Sequence, residues 1–341
     1  MGALLIHDWL ADALSQAVVD EASVSQLREE VRRVAAGRLD ATTTEQLVTA
    51  ASELGMNQLV HAGGGRVAVL PIERAGVVGV EVIAADAGPG IATPSAALRG
   101  EVGPHTKGLG AGLSAVLRLC QEVDFDVRQG EGTCVWARSY ASALPRSEVA
   151  ILGRPHPHER VSGDHAAFAR LGGRLVLAVI DGLGHGPAAR DASDRAARLV
   201  RQDARLAPAE LLRRCDEALR PTRGAAMSVF ELDLEAAPPN AVHAGAGNVA
   251  AHLYQGRVAT RFGSVARVIG GRPHSAALRE ERAALEPTHV VVMFSDGVST
   301  RLDLAAETNL RLRPPLLIAE RLMERYGQHT DDALILVARH G

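Results

Sequence analysis

Four short acidic motifs in the second half of the chain place carboxylates beside apolar segments. They are Ser162-Gly163-Asp164, Asp181-Gly182, Ser295-Asp296-Gly297 and Asp331-Asp332. Apolar runs at residues 175–180 and 290–294 precede two of them, and a run at 333–338 follows the last. Such runs are typical of buried strands, whose ends would bring the carboxylates together. Crowded carboxylates repel unless a hard cation neutralises them, and an all-oxygen ligand set suits Mg²⁺ or Mn²⁺. The pattern predicts a dinuclear metal site for phosphoester hydrolysis.

A second pair of reactive side chains lies in the first half, on a predicted helix over residues 40–62. Glu53 and Asn57 lie one turn apart on its polar side, and Thr42 with Glu45 predicts a capping box at its start. A carboxylate and an amide so spaced can activate a hydroxyl and hold Mg²⁺. Taken alone, the helix favours the simpler interpretation of a solvated polar face.

The segments after this helix favour the functional interpretation. Asp86 ends an apolar strand and precedes Gly88 and Gly90, where the backbone can approach a flat ligand closely. Lys107 and the glycine-rich residues 108–112 open a further helix, whose first amides and positive dipole end suit phosphates. The three segments together predict a nucleotide site.

Length and composition limit the class of protein. The 341 residues suffice for two domains, and 47% hydrophobic with 23% charged residues is typical of a soluble globular protein. A net charge of −3 and 3% aromatic residues argue against nucleic-acid binding. Three cysteines without metal-ligand spacing indicate a cytoplasmic protein, and no apolar stretch approaches membrane-spanning length.

The elements that must position these residues predict two α+β domains. Strands are expected at residues 67–72 and 77–85, and a hairpin around residues 130–132. In the second half a helical block at residues 188–219 separates groups of strands. The predicted organisation is a lead-in at residues 1–20, a first domain at 21–140, a linker at 141–148 and a second domain at 149–341.

The first-half motifs resemble the GHKL ATPase superfamily, and within it the anti-sigma-factor and stressosome-type serine/threonine switch kinases. The matching segments are Glu53-Leu54-Gly55-Met56-Asn57, Asp86-Ala87-Gly88-Pro89-Gly90, Thr106 to Leu113 and Gly130-Glu131-Gly132-Thr133. The resemblance implies an α/β sandwich, a mixed sheet covered by helices, that binds ATP and Mg²⁺. It is less consistent with a histidine kinase, because His7 is the only histidine before this region.

This resemblance assigns a role to each matching residue. Glu53 would be the general base on the protein hydroxyl, Asn57 would coordinate Mg²⁺, and Asp86 would bind the adenine amino group. The other cofactor-binding residues are expected to shape the pocket or hold the phosphates: Gly88, Gly90, Lys107, Gly108, Gly110, Gly112 and Thr133.

The second-half motifs resemble PPM/PP2C-type phosphatases of the sporulation and stress-response branch, as does Ala244-Gly245-Ala246-Gly247-Asn248. The resemblance implies a β-sandwich flanked by helices, with two Mg²⁺ or Mn²⁺ ions. Their expected ligands are Asp164, Asp181, the Gly182 carbonyl, Asp296 and Asp331. Asp332 takes a position usually held by a supporting polar residue.

Two further interpretations concern residues around this site. Arg154 and Arg160 are the candidates for gripping phosphate, in the place of an arginine that eukaryotic members use. His165 and His185 flank metal positions and could relay protons, although exposed turn histidines are the simpler interpretation.

Together the resemblances predict a bifunctional bacterial signalling enzyme that phosphorylates and dephosphorylates serine or threonine on a STAS-type partner protein. One alternative is a partner-switching binding protein with one catalytically silent half. Another, an ATP-driven clamp, lacks a transducer domain after the ATP site. A homodimer is an assembly that the sequence leaves open.

Overall fold

The computed structural model describes residues 15–99, 112–256, 258–271, 277–307 and 309–341. The chain divides into two compact units, Met1–Ala150 and Ile151–Gly341. Both units combine helices and sheets, which confirms the α+β fold class. No helix of the described ranges is long and apolar enough to cross a membrane.

The first unit is an antiparallel sheet with helices on one face. Its helices are α1 (Glu21–Ala35), α2 (Ala41–Asn57), α3 (Pro94–Arg99) and α4 (Gly112–Leu119). Its strands are β1 (Ser15–Val18), β2 (Gly65–Arg74), β3 (Val77–Asp86), β4 (Glu122–Arg128) and β5 (Gly132–Tyr140), in the order β1-β2-β3-β5-β4. β6 (Ser147–Arg154) contains the boundary between the units. Leu27 of α1, Leu47 and Leu54 of α2 and Val82 of β3 are buried in the core.

The start and the end of α2 differ from the prediction. Asp40 caps the helix by accepting a hydrogen bond from the Thr43 amide at 2.8 Å, so the capping box predicted at Thr42 was wrong. Capping depends on which side chain reaches the third free amide, and Asp40 lies one residue before the first helical turn. After Asn57 the chain continues as a π-helical turn, Gln58–Ala62, ended by Gly63 with φ of 71°.

The second unit contains two antiparallel sheets flanked by helices. One sheet has the order β13-β10-β9-β8-β7 and the other contains β15-β14-β11-β12. The strands are β7 (Asp164–Leu171), β8 (Arg174–Gly182), β9 (Ala225–Asp233), β10 (Asn240–Ala246), β11 (Ala250–Gln255), β12 (Val258–Phe262), β13 (Glu281–Ala284), β14 (His289–Phe294) and β15 (Ala333–His340). The helices are α5 (Pro187–Gln202), α6 (Pro208–Leu219) and α7 (Pro315–Tyr326).

The helices of the second unit cover the strands that carry the acidic motifs. α5 packs on β7 and β8, α6 on β9 and β10, and α7 on β15. The helical block predicted at residues 188–219 is thus two helices. Sequence patterning also placed residues 15–18 in a lead-in, whereas β1 pairs with β2.

Candidate active sites

The carboxylates of Asp164 and Asp181 face one another across neighbouring strands. Asp164 begins β7, Asp181 lies at the end of β8, and the antiparallel register pairs the two directly. Directly paired residues of an antiparallel sheet have Cα atoms about 4.5–5.5 Å apart. Like charges in that position destabilise a sheet, so this register is stable only if protons or a cation offset the repulsion.

Burial and neighbouring acids favour the neutral forms of both carboxyls. Burial, with a further contribution from Asp332, Asp296 and Asp331, raises the pKa of Asp164 to about 8. Burial, followed by the charges of Asp164, Asp296 and Asp331, raises the pKa of Asp181 to about 9. The four predicted aspartates are therefore close enough to interact electrostatically.

Ser295 ties one sheet of the second unit to the acidic pair on the other. Its amide donates to the Leu334 carbonyl at 3.1 Å, and its Oγ accepts from the Leu334 amide at 3.0 Å. The same Oγ donates to Asp164 Oδ2 at 2.5 Å, and both side chains are buried. Sequence patterning assigned no role to Ser295 beyond its place in a motif, since only the fold shows where its hydroxyl points.

Asp296 and Asp331 occupy the more accessible side of the cluster. Asp296 is exposed, hydrogen-bonds with Asp181, and accepts from Asn248 Nδ2 at 2.6 Å. Asp331 is partly buried, and its Oδ1 accepts from the Asp332 amide at 2.9 Å. Asn248 thus brings the glycine-rich segment before β11 to the acidic cluster.

Gly182 requires the absence of a side chain for reasons of packing. A Cβ at this position would lie 2.2 Å from the Ala189 carbonyl oxygen of α5. The close approach keeps the chain after Asp181 against the first turn of α5. The Gly182 carbonyl is therefore held beside Asp181, where it was predicted to be a ligand.

Asp332 connects the loop before β7 to the last acidic motif. Its buried carboxylate accepts from the His156 amide at 2.6 Å and from the Gly163 amide at 2.9 Å. Burial raises its pKa above the ordinary value, whereas the two amide bonds oppose that shift. Its contacts fit the supporting position expected for it.

The donor chemistry of this cluster fits divalent cations. Several aspartate oxygens and one backbone carbonyl form a hard, all-oxygen set, and a cation would relieve the repulsion that raises the two pKa values. Within the described ranges, no three His, Cys, Asp or Glu side chains already surround a single metal position. Mg²⁺ commonly binds one or two carboxylates and retains several waters, so a closed three-ligand cage is not required.

His185 and His165, which were both expected in exposed turns or as proton relays, differ in burial. His185 is an exposed loop residue, as expected; its Nδ1 lies 2.7 Å from Glu159 Oε1, and its ring stacks on His156. The expectation of an exposed turn was wrong for His165, which is buried in β7 with Nε2 3.5 Å from Asp194 Oδ1. Its position on the covered face of β7, under α5, explains the difference.

The two candidate arginines also differ. Arg154 is partly buried and donates to the Gln328 carbonyl, and burial lowers its pKa against the opposing charges of Asp332 and Asp331. Arg160 is exposed. Of the two, Arg154 is the one that the fold places beside the fourth acidic motif.

In the first unit, α2 and the start of α4 meet at the predicted base. Glu53 and Asn57 are partly buried on α2. A Cβ on Gly112 would lie 2.8 Å from Glu53 Oε2 and 3.2 Å from both Oδ1 and Nδ2 of Asn57. The end of the glycine-rich segment therefore lies against both side chains, and glycine is required for that approach.

Asp86 is held by two backbone amides at the end of β3. Its Oδ1 accepts from Gly88 at 2.9 Å and from Thr133, its partner in the β3–β5 register, at 3.3 Å. Gly90 has φ of 75°, and a Cβ there would lie 2.5 Å from the Arg128 carbonyl oxygen. Lys107, Gly108 and Gly110 lie outside the described residues.

Comparison with known proteins accounts for both units. The family model of stage II sporulation protein E (SpoIIE) matches residues 171–341. The chain belongs to the SpoIIE family. In this SpoIIE-family protein a histidine kinase-like ATPase domain model also matches residues 18–139. The serine/threonine-protein kinase RsbT of Bacillus subtilis (strain 168) is 38% identical over 111 residues, 32% of this chain and 82% of RsbT.

Two solved structures resemble the SpoIIE-family chain. One comes from work described as "The bacterial stressosome: a modular system that has been adapted to control secondary messenger signaling", with 26% identity and a TM-score of 0.52. It covers 57% of this chain and 99% of its own. RsbX in complex with magnesium, at 19% identity and a TM-score of 0.51, covers 59% and 98% and supports the fold alone.

These similarities confirm the predicted fusion. An RsbT-like kinase domain of the GHKL type precedes a PP2C-type phosphatase domain of the SpoIIE family. This combination of a kinase-like and a phosphatase domain supports a partner-switching signalling protein. The SpoIIE match begins after Asp164, so it includes the other three predicted aspartate ligands.

Proposed function

We propose that this chain both adds and removes phosphate on serine or threonine residues of a STAS-type signalling partner. One observation carries the proposal: the chain holds two separately assembled acidic sites, Glu53 beside Asn57 and Gly112, and Asp164 opposite Asp181. RsbT is named as a serine/threonine-protein kinase, which supports the same chemistry for the first site. The relation to a stressosome structure supports a partner of this type.

In the kinase half, Glu53 accepts the proton of the partner's hydroxyl as it attacks ATP. Asn57 holds Mg²⁺, which neutralises phosphate charge when bound. Asp86, oriented by the amides of Gly88 and Thr133, hydrogen-bonds the adenine amino group. Gly112 and the preceding residues Lys107, Gly108 and Gly110 supply the phosphate contacts. The chain's contribution is mainly positioning, as phosphoryl transfer requires.

In the phosphatase half, two Mg²⁺ or Mn²⁺ ions would be held by Asp164, Asp181, Asp296, Asp331 and the Gly182 carbonyl. Such a pair supplies an acidified water and neutralises the phosphoryl oxygens. Ser295 fixes the orientation of Asp164 by its 2.5 Å hydrogen bond, and Asp332 holds the loop before β7. The proposed role of both residues is to position the ligands and the loop.

Transfer from γ-labelled ATP to a purified STAS-domain protein tests the kinase half, and release of label from the phosphorylated partner tests the phosphatase half. The wild type is expected to do both, Glu53→Ala only the second, and Asp296→Ala only the first. A lack of transfer with either Mg²⁺ or Mn²⁺ would refute the kinase claim, and a lack of release the phosphatase claim.

The same materials distinguish the alternative of a binding protein with a silent half. If an Asn57→Ala, Asp181→Ala double variant keeps partner binding and signals normally in the host, catalysis is dispensable and the alternative is correct. Phosphoproteomics of Glu53→Ala and Asp296→Ala strains shows whether the two halves share a substrate, because the same phosphosites would then fall in one strain and rise in the other.

A further inference from the structure

The loop after Asp181 is joined to the segment between α6 and β9. The Leu183 amide donates to the Gly224 carbonyl at 3.0 Å, and the β8–β9 register pairs Asp181 with Ala226. Gly224, at the end of the segment 220–224, is therefore held beside the loop that follows Asp181. Arg223 lies in this segment, and its sequence context predicted no role for it.

The guanidinium of Arg223 lies against the bare backbone of that loop. A Cβ on Gly184, which has φ of 84°, would be 3.1 Å from Arg223 Nη1. Arg223 is exposed, and the neighbouring Leu183 side chain is 38% exposed. The Arg223 guanidinium thus lies beside the loop that also carries the exposed Leu183 side chain.

Other arginines around the cluster are already engaged with the protein. Arg190 donates to Asp194 and to the Ser162 carbonyl, and Arg154 donates to the Gln328 carbonyl. The charges that act on Asp181 are those of its neighbouring carboxylates. Arg223 is therefore positioned to meet the part of a substrate that remains outside the cluster.

We propose that Arg223 and Leu183 form a specificity-determining rim that recognises an acidic side chain beside the phosphorylated residue of the protein substrate. The inference rests on the proposed phosphatase function. A guanidinium binds a carboxylate through two parallel hydrogen bonds, and Leu183 provides an apolar contact for the adjoining peptide. An exposed guanidinium would also attract an acidic segment and orient it on the loop.

Two synthetic phosphoserine peptides test this, identical except that the residue after the phosphoserine is Asp in one and Ala in the other. With the full chain and Mn²⁺, the wild type is expected to show about fivefold higher kcat/KM for the acidic peptide, as for an exposed ion pair. Arg223→Ala abolishes the preference and Arg223→Lys keeps part of it. Hydrolysis of p-nitrophenyl phosphate, which has no flanking residue, is unchanged.

Arg220→Ala is the matched control, since Arg220 is exposed in the same segment, and it should keep the preference. Equal rates on both peptides by the wild type, or a preference retained by Arg223→Ala, would overturn the inference while leaving the phosphatase function intact. An equal loss on all three substrates in Arg223→Ala would also overturn it, because Arg223 would then support the site as a whole. If the wild type hydrolyses none of them, the proposed function itself fails and the inference with it.

Discussion

The two sites of this chain differ in how much unbalanced charge they hold before a ligand binds. In the kinase domain, Glu53 has a neutral amide, Asn57, and the backbone of Gly112 as its neighbours. In the phosphatase domain, Asp164 and Asp181 face each other, and their pKa values are raised to about 8 and about 9. The raised pKa values favour the protonated carboxyls of the phosphatase site at neutral pH, whereas the groups beside Glu53 in the kinase site are a neutral amide and backbone.

This difference indicates what each sheet contributes to its site. The β7–β8 register places Asp164 opposite Asp181, so the ionised carboxylates would repel and lower stability unless protons or a cation offset their charge. The kinase domain instead depends on close approach of backbone, to the side chains of Glu53 and Asn57 at Gly112 and to the backbone of Arg128 at Gly90. The two activities should therefore fail separately and for different reasons.

The largest expected effect comes from Asp181→Asn. Loss of one central carboxylate should lower the rate of phosphate release by about 10³-fold or more, equivalent to about 4 kcal/mol, because charge neutralisation at the phosphoryl group is impaired. Phosphoryl transfer from ATP to the partner should not change. Asp191→Asn, an exposed acid paired with Arg195 on α5, is the control and should retain both activities. Equal rates in Asp181→Asn and the wild type would contradict the metal site.

Glu53→Gln tests the kinase site. Removing the general base while keeping the shape of the side chain should slow transfer by about 10² to 10³-fold, with ATP binding and phosphate release retained. Single-turnover transfer and nucleotide titration measure the two effects. Glu45→Gln on the same helix, where Glu45 pairs with Arg32, is the matched control. If Glu53→Gln weakens ATP binding but leaves the rate of transfer unchanged, Glu53 is not the base.

Stability should depend on pH through the phosphatase site. Because the pKa of Asp181 is raised from 3.8 to about 9, the folded protein binds more protons than the unfolded chain between these values. The free energy of unfolding of the metal-free protein therefore falls as pH rises. Between pH 6 and pH 8 the wild type should lose about 2 kcal/mol more than Asp181→Asn, measured by chemical denaturation.

Comparing the wild type with Asp181→Asn removes the contributions of groups that both proteins share, some of which change the free energy of unfolding with pH in the opposite direction. His243 and His252 are buried with pKa values lowered to about 4, so their contribution to stability is lost as pH falls below 6.5. Adding Mn²⁺ at pH 8 should stabilise the wild type and have a smaller effect on the variant. Parallel pH profiles of the two metal-free proteins would show that Asp181 is ionised without a cation.

Sequence patterning predicted most of the elements that are defined by residues close together in the chain. The apolar runs before Asp181 and Asp296 are β8 and β14, because a buried strand needs only a continuous apolar segment and a glycine to end it. The direct pairing of Asp164 with Asp181 could not be predicted, because register is a property of two strands and their connection. No helix was predicted at residues 315–326, because the pair Pro314-Pro315 is typical of a turn, although proline is also common at the first position of a helix, as in α7.

Side-chain direction was also beyond the sequence. Ser295 and Arg223 are ordinary residues in polar segments, and only the fold brings them to the acidic cluster, whereas the supporting position of Asp332 was expected from the resemblance. Asp40 and Thr42 are both good capping residues, and the choice between them depends on the path of the chain entering α2. The sequence thus indicates which residue types could bind a cation, which stays a prediction, whereas the hydroxyl that orients Asp164 is seen only in the fold.

Gly112→Ala should give the smallest effect and tests the kinase site by packing alone. The added methyl group would lie 2.8 Å from Glu53 Oε2, so Glu53 or α4 must shift. An overpacking cost of about 1 kcal/mol corresponds to about fivefold slower transfer, with phosphate release unaffected. Because alanine favours the helix that Gly112 begins, α4 itself should not be weakened. A transfer rate equal to that of the wild type would mean that Glu53 adjusts freely, and the kinase site would then not depend on close backbone approach as the comparison requires.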